Sequence, residues 1–153
     1  MRCALVPTGG LALMLGSCAF SAPSDALTVS EVLADISSDN SRLDGKIVSI
    51  EGFLTECSPL SCSIYSSLED AEKVAAYHEL PENEWMPAYG RGLAIGRGSD
   101  AFEIRVQLMG FSKVTVVGEV NAAWKAPPDD SGTSYGCLDR CDDIRPHSIT
   151  LIF

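Results

Sequence analysis

Apolar positions recur at helical spacing early in the chain: Val29, Val32, Leu33 and Ile36 mark one buried helix face. Thr28 and Glu31 stand three apart, as in a capping box, where each side chain takes a free backbone N–H of the first turn, and Leu27 and Val32 are placed as a hydrophobic staple. The polar run Ser37 to Ser41 ends the helix. After Asp44-Gly45 the period changes to two. Val48, Ile50 and Leu54 fall on one face of a strand spanning residues 46–57 and Ser49, Glu51 and Thr55 on the other, with Gly52 marking a bulge or bend. Ser58 to Ser61 turns the chain into a second strand, residues 62–66. A second helix follows from Ser67, with Ala71, Val74 and Ala75 inward, and Pro81 stops it.

Residues 81–92 read as irregular, with Trp85 anchoring them to the core. A short strand follows at residues 93–95. Phe102, Ile104, Val106 and Leu108 alternate with Glu103, Arg105 and Gln107, which predicts another strand. Residues 114–120 form a strand, 127–136 a polar loop and 149–153 the last strand. The expected class is therefore mainly β with two short helices, an α+β chain.

Ahead of this pattern lie a basic residue, Arg2, a short apolar run, Leu11 to Leu15, and then Leu15-Gly16-Ser17-Cys18. The run is shorter than the roughly 20 apolar residues of a spanning helix. These four residues resemble a bacterial lipobox. That resemblance implies a signal peptide over residues 1–17, lipidation at Cys18, a tether over 18–26 and a single domain over 27–153. An ordinary cleaved signal without lipid is the alternative, and the candidate sites after Ala22 or Ala26 lack a good small-x-small pattern. The expected location is the bacterial cell envelope on the periplasmic side, with the lipid as the only membrane contact. By resemblance to Gram-negative lipoproteins, Ala19 permits outer-membrane sorting, and which membrane holds the anchor stays open.

The chain carries a formal charge of −10, and ten basic against 21 acidic residues follow Cys18. Phosphate backbones are bound by electropositive surfaces, so nucleic acid is not the expected partner. Such a charge suits solubility, cations or basic partners.

Two stretches echo one another. Gly45-Lys46-Ile47-Val48-Ser49-Ile50-Glu51-Gly52 and Gly110 to Glu119 each place a glycine and a lysine before an alternating strand with a glycine inside it. The first, led by Leu43-Asp44, resembles the opening strand of small exported bacterial OB-fold proteins. The second, Val114 to Val120, is similar to their fourth strand. The resemblance spans residues 43–153. It implies a five-stranded OB-like Greek-key barrel preceded by the N-terminal helix, binding through one sheet face and the loops joining strands 1–2 and 4–5. In that mapping Cys57 and Cys62 flank the first loop, and Cys137 and Cys141 lie in the second. The basic and paired aromatic residues of nucleic-acid OB-folds are missing there. The second loop carries Asp129, Asp130, Asp139, Asp142 and Asp143 instead.

An exported chain with four cysteines beyond Cys18 favours disulfides. Pairing within each loop, a bridge between the loops, and a four-cysteine metal site are the alternatives. Cys-x4-Cys and Cys-x3-Cys are looser than common zinc spacings, and no Cys-x-x-Cys is present. The aspartates match no calcium loop. His78 and His147 read as surface or cap residues, and no Gly-x-Ser-x-Gly elbow, phosphate loop or His-Glu-x-x-His occurs. Tyr65, Tyr77, Trp85, Tyr89 and Trp124 are core or interface residues, of which Tyr89 and Trp124 lie beside glycine- or proline-containing loops.

The expectation is a lipid-anchored envelope protein with a non-catalytic OB-like domain, binding a small ligand or an envelope protein through Tyr89, Trp124, Asp139, Asp142 and Asp143. Neither cofactor nor metal is expected. The alternative is an exported metal-binding or thiol-redox protein using Cys57, Cys62, Cys137 and Cys141.

Overall fold

The computed structural model describes residues 25–38, 40–122 and 140–153. The lipobox, the tether up to residue 24 and the polar loop at 127–136 lie outside them.

Thr28 closes both halves of the capping box. The Glu31 N–H donates to its hydroxyl at 3.2 Å, and its own N–H donates to the Glu31 carboxylate at 2.7 Å. This starts α1 (Val29–Ile36), directly after the two-residue strand β1 (Leu27–Thr28). Val29, Val32 and Ile36 are buried on one side of α1, as their spacing predicts.

The central strand is β2 (Ile47–Leu54). Along one edge it pairs antiparallel with β5 (Lys113–Val120), from Ile47 opposite Glu119 to Phe53 opposite Lys113. Its other edge is shared. β1 lies parallel to it at Ile50 and Glu51, and β3 (Ser63–Tyr65) lies antiparallel at Phe53 and Leu54. The pairing with β5 runs through Gly52 without a register shift. Gly52 serves close approach and not a bulge. A Cβ there would lie 2.6 Å from the Tyr65 carbonyl oxygen and 2.9 Å from Val29 Cγ2, so the missing side chain lets β3 and α1 close onto β2.

β4 (Gly92–Ala94) continues the sheet beyond β3, and β6 (Ile144–Leu151) continues it beyond β5. The order β4-β3-β2-β5-β6, with β1 on β2, makes a six-stranded, mostly antiparallel open sheet. The last strand begins earlier than its apolar run. A bulge between Val117 and Gly118 sets Gly118 opposite Pro146, and His147 is the extra residue. Proline has no N–H to give a ladder, and the bulge accommodates it.

The sheet is not a closed barrel, which corrects the expected architecture. Its two outer strands nevertheless curl toward each other. A single parallel bridge joins Ile95 to Ile144, the Gly96 N–H donates to the Ile144 carbonyl at 2.8 Å, and the Ala94 N–H donates to the Asp143 carboxylate at 2.7 Å.

The described residues contain four helices where two were expected: α1, α2 (Leu68–Ala75), α3 (Glu82–Tyr89) and α4 (Asp100–Leu108). The predicted strand at 102–108 is helix α4. Its alternation is compatible with either period, and the caps decide. The Ser99 hydroxyl accepts the Phe102 N–H at 3.3 Å, Asp100 and Glu103 occupy the first turn, and Arg105 the last. Only Phe102 and Val106, four apart, are buried there, whereas Ile104 and Leu108 are 63% and 82% exposed. Helix α3 replaces the expected irregular stretch and carries Pro87 inside it. α1 and α4 pack with the sheet around a core that includes Ile50, Leu54, Ile64, Leu93, Val114 and Ile149.

Candidate functional site

Cys57 and Cys62 are joined as a disulfide, closing the hairpin between β2 and β3. Inside it the Ser58 hydroxyl accepts the N–H groups of Leu60 and Ser61, and the Thr55 hydroxyl exchanges hydrogen bonds with the Ser63 backbone at 3.1 Å. A buried arginine holds the hairpin from behind. Arg140, its side chain 2% exposed, donates to the Ser58 carbonyl at 3.0 Å and to both Glu103 carboxylate oxygens at 2.8 Å. Glu103 also accepts the Gly98 N–H at 2.9 Å. One guanidinium thus ties the hairpin to α4.

Opposite the hairpin stands the α2–α3 pair. Its position is set by Asp70, buried in the first turn of α2, which accepts from Arg91 Nε at 3.1 Å and Nη2 at 2.6 Å. The Arg91 hydrogen bonds hold the Asp70 carboxyl below its ordinary range, with a further contribution from Ser67. Between the two walls lies a groove of about 630 Å3. Tyr65 forms its floor, 1% exposed, its ring against Gly92, where a side chain would collide with it. Burial pushes the Tyr65 hydroxyl up to about 12, so it stays neutral. Tyr77, Trp85 and Tyr89 line the helical wall edge to face, with centroid separations of 5.8 and 6.2 Å.

Ten large apolar side chains are exposed among the described residues, and four of them, Leu60, Tyr77, Met86 and Tyr89, line this groove. Converging exposed apolar groups are the usual mark of a binding surface. Glu56 is the only charged residue of the lining.

Tyr89 is therefore placed in the groove, 57% exposed. Asp142 is not. It lines a smaller depression with Arg97, Arg140 and Arg145, and accepts from Arg145 Nε at 3.0 Å. Asp143 is 2% exposed and supports the junction of β4 and β6, so it presents no charge to a partner in solution. Cys18, Trp124, Cys137 and Asp139 lie outside the described residues. Cys141 is disulfide-bonded, and its partner is neither Cys57 nor Cys62, which pair with each other, so a bridge between the loops through those two is ruled out. In this state the three described cysteines offer no thiolate, and no cluster of three or more His, Cys, Asp or Glu is placed to hold a metal among the described residues. The His78 ring lies against Tyr77 at a centroid distance of 3.6 Å, the two planes tilted by 38°. No helix of the described residues is long and apolar enough to cross a membrane.

Leu60 and Met86 escaped the sequence reading, which left Tyr77 and Trp85 open between core and interface. The available signal was the acidic start Glu82-Asn83-Glu84 after Pro81, which opens a helix and puts Trp85 and Tyr89 four apart on one face. No protein-family model, no curated protein and no solved structure matches the chain.

Proposed function

We propose that this chain is a lipid-anchored bacterial envelope protein whose OB-like domain binds a small ligand without catalysis, and that the aromatic groove is its binding face. The groove carries the reading: four exposed apolar side chains converge on a space within the volume range of small-ligand sites.

The fold adds support. In an OB-type barrel, which is only partly closed, ligands meet the face of strands 2 and 3 and the loop between strands 1 and 2. With β2 to β6 in the five strand roles, those parts are β3, β4 and the Cys57–Cys62 hairpin, and the groove is lined by β3 and that hairpin. The Thr55 and Ser58 hydroxyls are engaged with backbone, which favours a rigid binding wall over a nucleophile. The lipobox-like Leu15-Gly16-Ser17-Cys18 supports the anchor.

The test is amide chemical-shift mapping of the mature protein against a panel of small neutral, anionic and cationic fragments. Binders whose shifts centre on Leu60, Tyr77 and Tyr89 are expected. A panel without binders, or binders mapping elsewhere, refutes the groove. A diacyl or triacyl mass at Cys18 in protein from native envelopes is the expected sign of the anchor, and its absence refutes it.

A further inference from the structure

We propose that the groove is a site for a small organic cation with a fully alkylated, quaternary ammonium group. This inference rests on the groove being the binding face and names the chemistry of its ligand.

Two independent features converge on that class. The first is the aromatic lining. Tyr77, Trp85 and Tyr89 stand edge to face in a continuous run, above the floor ring of Tyr65. Rings inclined at 66° and 86° to their neighbours wall a corner, and a cation seated there within about 6 Å of the centroids meets more than one π system.

The second is charge. Neither lysine nor arginine lines the groove, and its one charged residue is the carboxylate Glu56, which has no ion-pair partner among the described residues. The chain from Leu68 to Tyr89, which supplies the helical wall, carries six carboxylates against one lysine. Asp70 and Glu69 are paired with Arg91 and Lys73, and the remaining four carboxylates with Glu56 still make the surroundings of the groove net negative, which attracts cations and repels anions.

Among cations, a lining of several rings favours the quaternary class, which has no N–H donors to satisfy and keeps its full charge for the π faces and Glu56. The volume of about 630 Å3 fits a free small molecule. The acidic surface disfavours capture of the same headgroup from an anionic membrane.

The test uses the mature protein with choline, with its uncharged carbon isostere 3,3-dimethylbutanol, and with a lysine-rich peptide, read by amide shifts and calorimetry beside the fragment panel. Choline is expected to perturb Leu60, Tyr77 and Tyr89 and to bind at least about fivefold tighter than the isostere. The exposed position of Tyr89 makes Tyr89→Ala safe for folding. That variant is expected to weaken choline about two- to fivefold, the range of an exposed cation–π contact. Glu56→Gln is expected to weaken choline binding and to reduce its salt dependence.

Equal binding of choline and the isostere overturns the cation and leaves the groove standing as an apolar site. So does a groove response to other fragments with none to choline. A response to the peptide alone overturns the small-molecule ligand. Silence of the whole panel overturns the groove itself.

Discussion

Glu103→Ala should be among the most damaging single substitutions outside the apolar core. It removes both carboxylate contacts to the Arg140 guanidinium, each 2.8 Å, and the acceptor for the Gly98 N–H. Arg140 stays behind with a side chain 2% exposed and an Nε already without a hydrogen-bond partner. Stranding one member of a buried pair costs about 3–5 kcal/mol. Glu103 is itself 22% exposed, so some water reaches the vacated site, and the lower end, about 3 kcal/mol, is the fitting figure. Against a total stability of about 5–15 kcal/mol this is a large fraction. With a urea dependence of about 2 kcal/mol per molar, the unfolding midpoint should fall by about 1.5 M. Equilibrium urea unfolding with oxidised protein measures it. Arg140→Met in the Glu103→Ala background removes the stranded charge, and the double variant should recover at least about 1 kcal/mol relative to Glu103→Ala alone. A midpoint within about 0.3 M of the parent for Glu103→Ala, or strictly additive single effects, would refute the Glu103–Arg140 tie.

Three further outcomes follow from the same geometry. Gly52→Ala places a Cβ 2.6 Å from a backbone carbonyl oxygen and 2.9 Å from Val29 Cγ2, so a loss of about 3 kcal/mol or more is expected by thermal unfolding, and an unchanged midpoint would show that β3 yields easily. Replacing Cys57 and Cys62 together by serine opens a hairpin of sequence separation 5 and should cost about 2 kcal/mol in urea, with parental stability counting against the bridge. Asp35 and Asp70 both lie below the ordinary aspartate value of 3.8, Asp35 chiefly through the Ser41 hydroxyl and Asp70 chiefly through Arg91. The unfolded chain therefore binds these protons more readily, so their contribution is full above about pH 4 and is lost as pH falls through the depressed folded values. Urea midpoints at pH 6 and pH 3 should differ, and Asp70→Asn should shrink the difference. An identical pH dependence in the variant would remove Asp70 from the account.

The elements legible in the chain were those whose signals are local. The Thr28–Glu31 box begins α1, and the alternation after Gly45 and Gly110 gives β2 and β5. Residues 102–108 misled because Phe102 and Val106 satisfy periods of two and of four alike. The deciding information was Ser99, a cap lying just before the run. Pro87 and Pro146 are each absorbed, one within a short helix and the other at a bulge. The groove was harder to see. Its walls come from residues 55–65 and 74–89, brought together by the pairing of β3 with β2 and by the Asp70–Arg91 contact. Asp143 read as one of a row of loop carboxylates, since its burial depends on where β4 ends in space.

Where β4 meets β6, one bridge and one carboxylate bond span a gap that longer ladders fill elsewhere. Parting them leaves the β2–β5 and β5–β6 ladders intact but also exposes Ile95 and Ile144, both fully buried, so the junction opens only at the cost of core packing. Two raw strand edges then become available, and those of one opened molecule complement those of another. The junction is thus where two strand edges capable of pairing with another chain are kept covered by the fold itself. The bulge at Pro146 and the exposed charge of Arg145 on β6 act as brakes on such pairing.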